Sequence, residues 1–184
     1  MEFFKNKYFY IGLGIVATII IIGICLFFFF NSKVEYITLT ASDNSFNIDF
    51  PSNVPYQINQ AENNSFVIDL YSNKDEMFFY ATRIEKSREI NLQQIIEDDK
   101  KAYLKDKQNI QNDSGIIPFT ISNYKSYEYN FIYSDTSYGK DFYSNVVWIE
   151  TDKNLYILNF EVVNDMKEKY LDIFLNIKNS FVEL

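Results

Sequence analysis

The sequence predicts an α+β domain that follows an N-terminal transmembrane helix. Three features of the 184-residue chain lead to this prediction. Residues 8–30 are apolar and uncharged, several later segments alternate apolar and polar residues, and two segments repeat apolar residues every three or four positions. Alternation is typical of half-buried strands, and the longer period is typical of amphipathic helices. Because short turns join the strand segments, we expect an antiparallel β-sheet with helices packed on it.

The transmembrane prediction rests on residues 8–30, which read YFYIGLGIVATIIIIGICLFFFF. A helix of this length spans about 35 Å, enough to cross a hydrocarbon core of about 30 Å. The alternatives are a cleaved signal peptide and a lipid-modified Cys25. A cleaved signal has a shorter apolar core with a small-residue site after it, and Ile24 stands where a lipoprotein signal carries Gly or Ala. The segment therefore favours an uncleaved anchor.

The charges beside this segment indicate its orientation. Lys5 and Lys7 precede it, whereas only Lys33 closely follows it. The more basic flank of a membrane helix stays in the cytoplasm, so the rest of the chain is expected outside. The predicted organisation is a cytoplasmic N-terminus (1–7), a single membrane span (8–30), a connector (31–44) and an extracytoplasmic domain (45–184).

Composition restricts the chemistry that the chain can perform. It has no histidine, and its one cysteine lies in the apolar segment. This excludes Ser-His and Cys-His nucleophile systems and the usual zinc sites. Only Gly115 and Gly139 lie beyond the segment, which excludes a glycine-rich phosphate cradle, and the net charge of −8 disfavours nucleic acid. We therefore expect a non-catalytic protein without cofactor, metal or nucleic-acid partner.

The strand predictions fall on segments of strict alternation or dense β-branched and aromatic content. They are residues 46–50, 65–71, 76–84, 126–133, 142–150 and 155–162. The polar triplets Asn73-Lys74-Asp75 and Asp152-Lys153-Asn154 have the length and composition of hairpin turns. A sheet of about five to seven antiparallel strands follows from this pattern.

Two helices are predicted from apolar spacing. The first runs from about Asn91 to Lys107, with Asn91 as N-cap and Gln94 at the third helical position. The second begins at Asn164 as its N-cap. Its apolar stripe comprises Met166, Tyr170, Ile173, Phe174, Ile177 and Phe181.

The order of these elements resembles the PsbP-like family. The matching segments are Phe46-x-Ile48-x-Phe50-Pro51, Phe66–Ser72, Leu92–Lys105, Tyr124–Tyr133, Asn154–Leu158 and the ending Tyr170, Phe174, Ile177, Ser180 and Phe181. The family's fold occurs in the PsbP subunit of photosystem II, a Ran-binding nuclear import factor and many bacterial membrane-anchored proteins. The resemblance covers about residues 45–184 and implies binding rather than catalysis. Because the matched positions are packing residues, no partner or site is transferred with it.

A partner-binding surface is predicted on the aromatic strands and on the polar loop Ser134–Asp141. Its residues are Tyr127, Tyr129, Tyr133, Tyr138, Lys140 and Trp148. With Tyr143, the strand aromatics would line a carbohydrate or peptide groove. The alternative is that they pack in the core or across strands, since tyrosine suits a half-buried pleated surface. The loop contains Gly139 and presents Tyr138, as recognition loops do.

The densest acidic cluster is Glu97-Asp98-Asp99. Consecutive helix positions point in different directions, so these residues favour a solvated helix face over a calcium site or an acid/base pair. The predicted function is therefore a membrane-anchored binding or assembly module with an envelope protein or the cell wall as partner. The richness in Asn, Ile, Lys, Phe and Tyr indicates a bacterium of low GC content. The alternatives are a small-molecule or ion sensor and a carboxylate-based wall hydrolase, which would need acidic residues that converge in a cleft.

Overall fold

The computed structural model describes residues 18, 20–22, 34–58, 66–86 and 91–184. Residues 18 and 20–22 are helical. The remainder of the predicted span at 8–30, and the predicted cytoplasmic residues 1–7, lie outside the described residues. Within the described part of the chain, no helix is long and apolar enough to cross a membrane. Residues Tyr36–Leu184 form one compact unit.

This unit is an α+β domain built on antiparallel strands, as predicted. The strands are β1 Tyr36–Thr40, β2 Phe46–Pro51, β3 Gln57–Ile58, β4 Ile68–Ser72, β5 Met77–Glu85, β6 Gln108–Gln111, β7 Ile117–Ile121, β8 Tyr124–Asp135, β9 Lys140–Glu150, β10 Asn154–Val163 and β11 Val182–Glu183. The helices are α1 Leu92–Leu104 and α2 Lys167–Asn179. Among the described residues, the strands form two sheets. The larger sheet has eight strands in the order β3-β4-β5-β10-β9-β8-β6, and its eighth strand, β7, pairs with β8. The smaller sheet has the order β1-β2-β11.

Both faces of the large sheet are covered. On one face, α2 and the small sheet enclose a core in which the ring of Phe160 stacks on Phe79 at 4.8 Å and meets Phe174 at 4.7 Å. On the other face, α1 covers a second core that contains Ile96 and Trp148. Because both faces are covered, residues 142–149 of β9 are buried without interruption.

The predicted α2 stripe is confirmed from Tyr170 to Phe181, whose members are buried against the sheet, with Met166 partly buried at its start. The predicted N-cap is wrong. Asn164 begins a 3₁₀ turn, Asn164–Met166, and no side chain caps α2. The chain leaves β10 through this tighter turn, so the N-cap of the α-helix is Met166, two residues later than predicted.

The α1 cap is confirmed, because Asn91 Oδ1 accepts a hydrogen bond from the backbone N–H of Gln94 at 3.3 Å. The helix ends at Leu104, earlier than predicted, and the chain continues into β6. The segment predicted as a connector contributes β1, in which Leu39 pairs with Ile48 and packs on the core. The folded unit therefore begins nearer Tyr36 than residue 45.

The C-terminal strand β11 pairs with β2 and is also held by the carboxylate of Glu183. Glu183 Oε1 accepts hydrogen bonds from Thr151 Oγ1, Asn154 Nδ2 and Tyr156 OH at 2.8, 2.9 and 3.0 Å. Burial opposes the charge of Glu183, but these hydrogen bonds outweigh it and lower the pKa of its carboxyl. A carboxylate with a lowered folded pKa stabilises the fold above its unfolded pKa, and this contribution disappears as the pH falls.

We therefore expect Glu183→Gln to cost about 1 kcal/mol of unfolding free energy at neutral pH. The difference from the parent protein should shrink as the pH falls through the lowered folded pKa of Glu183, because the protonated carboxyl is then neutral like the amide. Urea unfolding of the two proteins at neutral and at acidic pH measures this. An equal loss at both pH values would show that the charge of Glu183 does not contribute.

Candidate functional site

The loop that joins β8 to β9 is shaped by its own residues. The hairpin closes through the register pair Asp135 and Lys140. Asp135 Oδ1 accepts hydrogen bonds from the backbone N–H groups of Ser137 and Tyr138, at 2.8 and 3.3 Å, an arrangement typical of an aspartate-initiated turn. Gly139 has a φ of 63°, a conformation that glycine adopts without a steric cost. The conformation of the loop is thus defined locally.

Tyr138 and Lys140, the two loop residues of the predicted partner surface, contact side chains of neighbouring elements. The ring of Tyr138 meets the rings of Phe142 and Phe78 edge to face, at 5.6 and 6.3 Å between centroids. Lys140 Nζ donates to Glu76 Oε1 at 2.6 Å. Glu76 lies in the turn between β4 and β5. Tyr138 is still 54% exposed, so the loop presents an aromatic ring in a fixed orientation.

A polar cleft lies between this loop and the end of α1. Its volume is about 280 Å³. We call it the loop cleft, and its lining residues are Asp106, Lys107, Gln108, Tyr133, Ser134, Asp135, Thr136 and Ser137. Hydroxyl, amide and carboxylate groups dominate this list, so the cleft offers hydrogen bonds rather than apolar contact.

An ion pair between the half-buried Lys107 and the buried Glu161 lies beside the loop cleft. Lys107 Nζ donates to Glu161 Oε1 at 3.1 Å and lies 3.8 Å from the centre of the Tyr133 ring. Glu161 is on β10 and is 8% exposed. Removing one partner of such a pair leaves a buried charge without compensation, which is strongly unfavourable. The charge of Lys107 is therefore neutralised within the protein.

Tyr103 links this ion pair to α1. Its hydroxyl donates to Glu161 and lies 3.1 Å from Tyr80 OH and 3.2 Å from Ser144 Oγ. Burial, together with the charge of Glu161, raises the pKa values of Tyr80, Tyr103 and Tyr133 above the usual range. These tyrosines stay protonated at neutral pH and act as donors. The network thus holds α1 on the sheet.

Burial removes three residues from the predicted partner surface. Tyr129, Tyr133 and Trp148 are buried in the core beneath α1, which corresponds to the packing alternative. Trp148 Nε1 donates to Asp99 Oδ2 at 2.8 Å. Desolvation raises the pKa of Asp99, and this hydrogen bond offsets only part of the effect. The prediction was wrong here because alternation shows which side chains share a face, but not which face a helix covers.

The other predicted residues remain accessible. Tyr138 and Lys140 are exposed and lie together at the loop, whereas Tyr127 is half-buried and pairs with Trp148 towards the other end of β8. The sequence did not predict Lys107 and Glu161. Hydrophobic spacing carries no signal for a contact between side chains 54 residues apart.

The acidic cluster on α1 does not converge. Glu97 and Asp98 each accept a hydrogen bond from a glutamine one turn earlier on α1, and Asp99 turns inward to Trp148. In the described residues, no three acidic side chains are grouped so that they could hold a metal ion. The three carboxylates therefore lie apart, as expected for successive helix positions.

No protein-family model matches the chain, and no curated protein sequence matches it significantly. Several solved structures, however, are similar to the chain. LpqN, involved in cell envelope biogenesis of Mycobacterium tuberculosis, has a TM-score of 0.58 at 11% identity, over 83% of this chain and 92% of LpqN. The cyanobacterial PsbP (CyanoP) of Synechocystis has a TM-score of 0.59 at 6% identity, over 84% and 95%.

A third similar structure is PA94, a protein of unknown function from Pseudomonas aeruginosa, with a TM-score of 0.52 at 10% identity. It covers 80% of this chain and 96% of its own. At identities this low, the structural similarity shows a shared fold and does not transfer a function. The domain therefore has the fold of PsbP and LpqN, which confirms the fold predicted from the order of its elements.

Proposed function

We propose that this chain is a membrane-held, non-catalytic binding or assembly module of the bacterial cell envelope. Residues 8–30 would anchor it, and the domain would lie outside the membrane. The fold supports this role, since it is shared with LpqN, a protein involved in cell envelope biogenesis. The observation that carries the proposal is the loop between β8 and β9, which is fixed from within and yet exposes Tyr138.

A fixed loop suits partner binding for a thermodynamic reason. Ordering a flexible side chain on association costs about 0.5–1.5 kcal/mol, and a loop that is already ordered avoids part of this cost. Tyrosine contributes a large contact area with few rotatable bonds and is enriched at protein interfaces. Tyr138 and Lys140 would therefore form the centre of the contact.

The net charge restricts the partner. At −8, the protein is repelled by anionic lipid headgroups, so the domain would stand away from the bilayer surface. The partner is then another envelope protein or a polymer of the cell wall, in reach of an outward-facing loop.

Topology is the first test of this proposal. In a Cys25→Ser background, Ser137→Cys places one thiol on the exposed loop. We expect a membrane-impermeant maleimide to label it in intact cells, because the basic N-terminal flank favours an outward domain. Asn6→Cys in the same background is the matched control and should react only after lysis. Protection of Ser137→Cys until lysis would place the domain in the cytoplasm and refute an envelope role.

A further inference from the structure

We propose that the loop cleft binds one unit of a neutral, hydroxyl-rich saccharide. The cleft has this role only if the loop is the binding face described under the proposed function. Of the two partner types considered there, the wall polymer then supplies the ligand. The charge, the chemical groups and the size of the cleft each support this choice.

The charge of the cleft excludes anionic ligands. Lys107 is its one basic lining residue, and its ammonium group is paired with Glu161 at 3.1 Å. Asp106 has no hydrogen-bond or ion-pair partner among the residues that the structure describes. The carboxylates of Asp106 and Asp135 therefore leave the cleft negative. A phosphate or carboxylate ligand would meet like charges, which cost several kcal/mol at close range.

The chemical groups of the cleft fit a polyol. In the described part of the chain, the side chains of Gln108, Thr136 and Ser137 have no internal hydrogen-bond partner and line the cleft. Together they offer donors and acceptors side by side, which is what neighbouring hydroxyl groups require. The one aromatic lining residue, Tyr133, is buried beneath Lys107. An acyl chain would therefore bury little apolar surface in this cleft.

The size and rigidity of the cleft fit a single sugar ring. Its volume of about 280 Å³ lies just below the range of about 300–1,000 Å³ that holds drug-sized ligands, so the cleft suits a smaller ligand. One wall is fixed by Ser134 Oγ, which donates to Asp141 Oδ1 at 2.7 Å, and by the Asp135 turn. The exposed ring of Tyr138 is adjacent in the loop. A sugar can place its C–H face on such a ring while its hydroxyl groups enter the cleft.

The experiment uses the full chain in lipid nanodiscs and measures binding of tetrasaccharides by calorimetry. The neutral ligands are tetramers of glucose, mannose and N-acetylglucosamine, and tetragalacturonate is an anionic control of the same size. We expect at least one neutral tetramer to bind, and tetragalacturonate to bind about tenfold more weakly or not at all. Thr136→Val, which keeps the side-chain shape, and Asp106→Asn should each weaken binding by about tenfold. Asp172→Asn on the exposed side of α2 should leave it unchanged.

The saccharide site is refuted if none of the neutral tetramers binds at about 10 mM. It is equally refuted if tetragalacturonate binds as tightly as they do, or if Thr136→Val leaves the affinity unchanged. Each of these outcomes would refute the saccharide site without refuting the proposed function. A domain labelled from outside, whose loop contacts a protein and not a sugar, would keep the envelope role and identify a protein partner.

Discussion

Lys178→Ala is expected to destabilise the domain by about 3 kcal/mol or more. Lys178 is only 8% exposed, and its Nζ donates to Glu128 Oε2 at 2.8 Å. Truncation would leave the Glu128 carboxylate, which also accepts from Asn145 Nδ2 at 2.6 Å, without its counter-charge. Trp148 is the chain's one tryptophan and is buried, so its fluorescence during urea unfolding reports the loss.

Two control variants test whether the loss of stability comes from the buried Lys178–Glu128 ion pair or from removing a lysine in general. Lys101 on α1 pairs with Asp98 at 3.7 Å, but its side chain is 72% exposed, so Lys101→Ala should cost about 0.5 kcal/mol or less. The double variant Lys178→Met with Glu128→Gln should recover much of the stability, because no buried charge is left unpaired. If Lys178→Ala costs no more than Lys101→Ala, the Lys178–Glu128 pair does not stabilise the fold.

Lys107→Met is expected to cost about 2–3 kcal/mol of unfolding free energy at neutral pH. Glu161 would keep the hydrogen bond from the Tyr103 hydroxyl but would lose the positive charge of Lys107. Urea unfolding of the variant and its parent at neutral pH, followed by the fluorescence of Trp148, measures this loss.

Glu161→Gln in the Lys107→Met background is the matched control. A neutral amide has no charge to compensate, so this double variant should be more stable than Lys107→Met at neutral pH. A double variant no more stable than Lys107→Met would indicate that the loss comes from the packing of the lysine stem instead.

The sequence alone predicted the helices and strands in which apolar residues recur at a regular spacing. The α2 stripe from Tyr170 to Phe181 and the hairpins around β4–β5 and β9–β10 follow from spacing alone, because one face of each must be buried. Strands β3, β6, β7 and β11 were missed because they are short and largely exposed, so little apolar alternation marks them. The large sheet therefore has eight strands among the described residues, more than the five to seven predicted. Strand β1 was treated as a connector despite its strand-like composition.

The candidate site was predictable in part. The loop from Ser134 to Asp141 could be located because a polar segment with Gly139 separates two strand patterns. The opposite wall of the loop cleft, at Asp106–Gln108, could not be placed, because it follows the end of α1. Which aromatic side chains α1 covers also depends on tertiary packing. Alternation along β8 alone could not distinguish the buried Tyr129 and Tyr133 from a binding surface.

Site-specific photocrosslinking in intact cells tests most directly whether the loop contacts a partner. A benzophenone amino acid replaces Ser137 on the loop in one strain and Leu175, an exposed residue of α2, in another. We expect irradiation to produce an adduct of higher mass from position 137, and this adduct should be lost with Tyr138→Ala or Lys140→Ala. Protease and glycosidase digestion of the adduct then separates a protein partner from a wall polymer. No adduct from position 137, or the same adduct from position 175, would contradict a binding role for the loop.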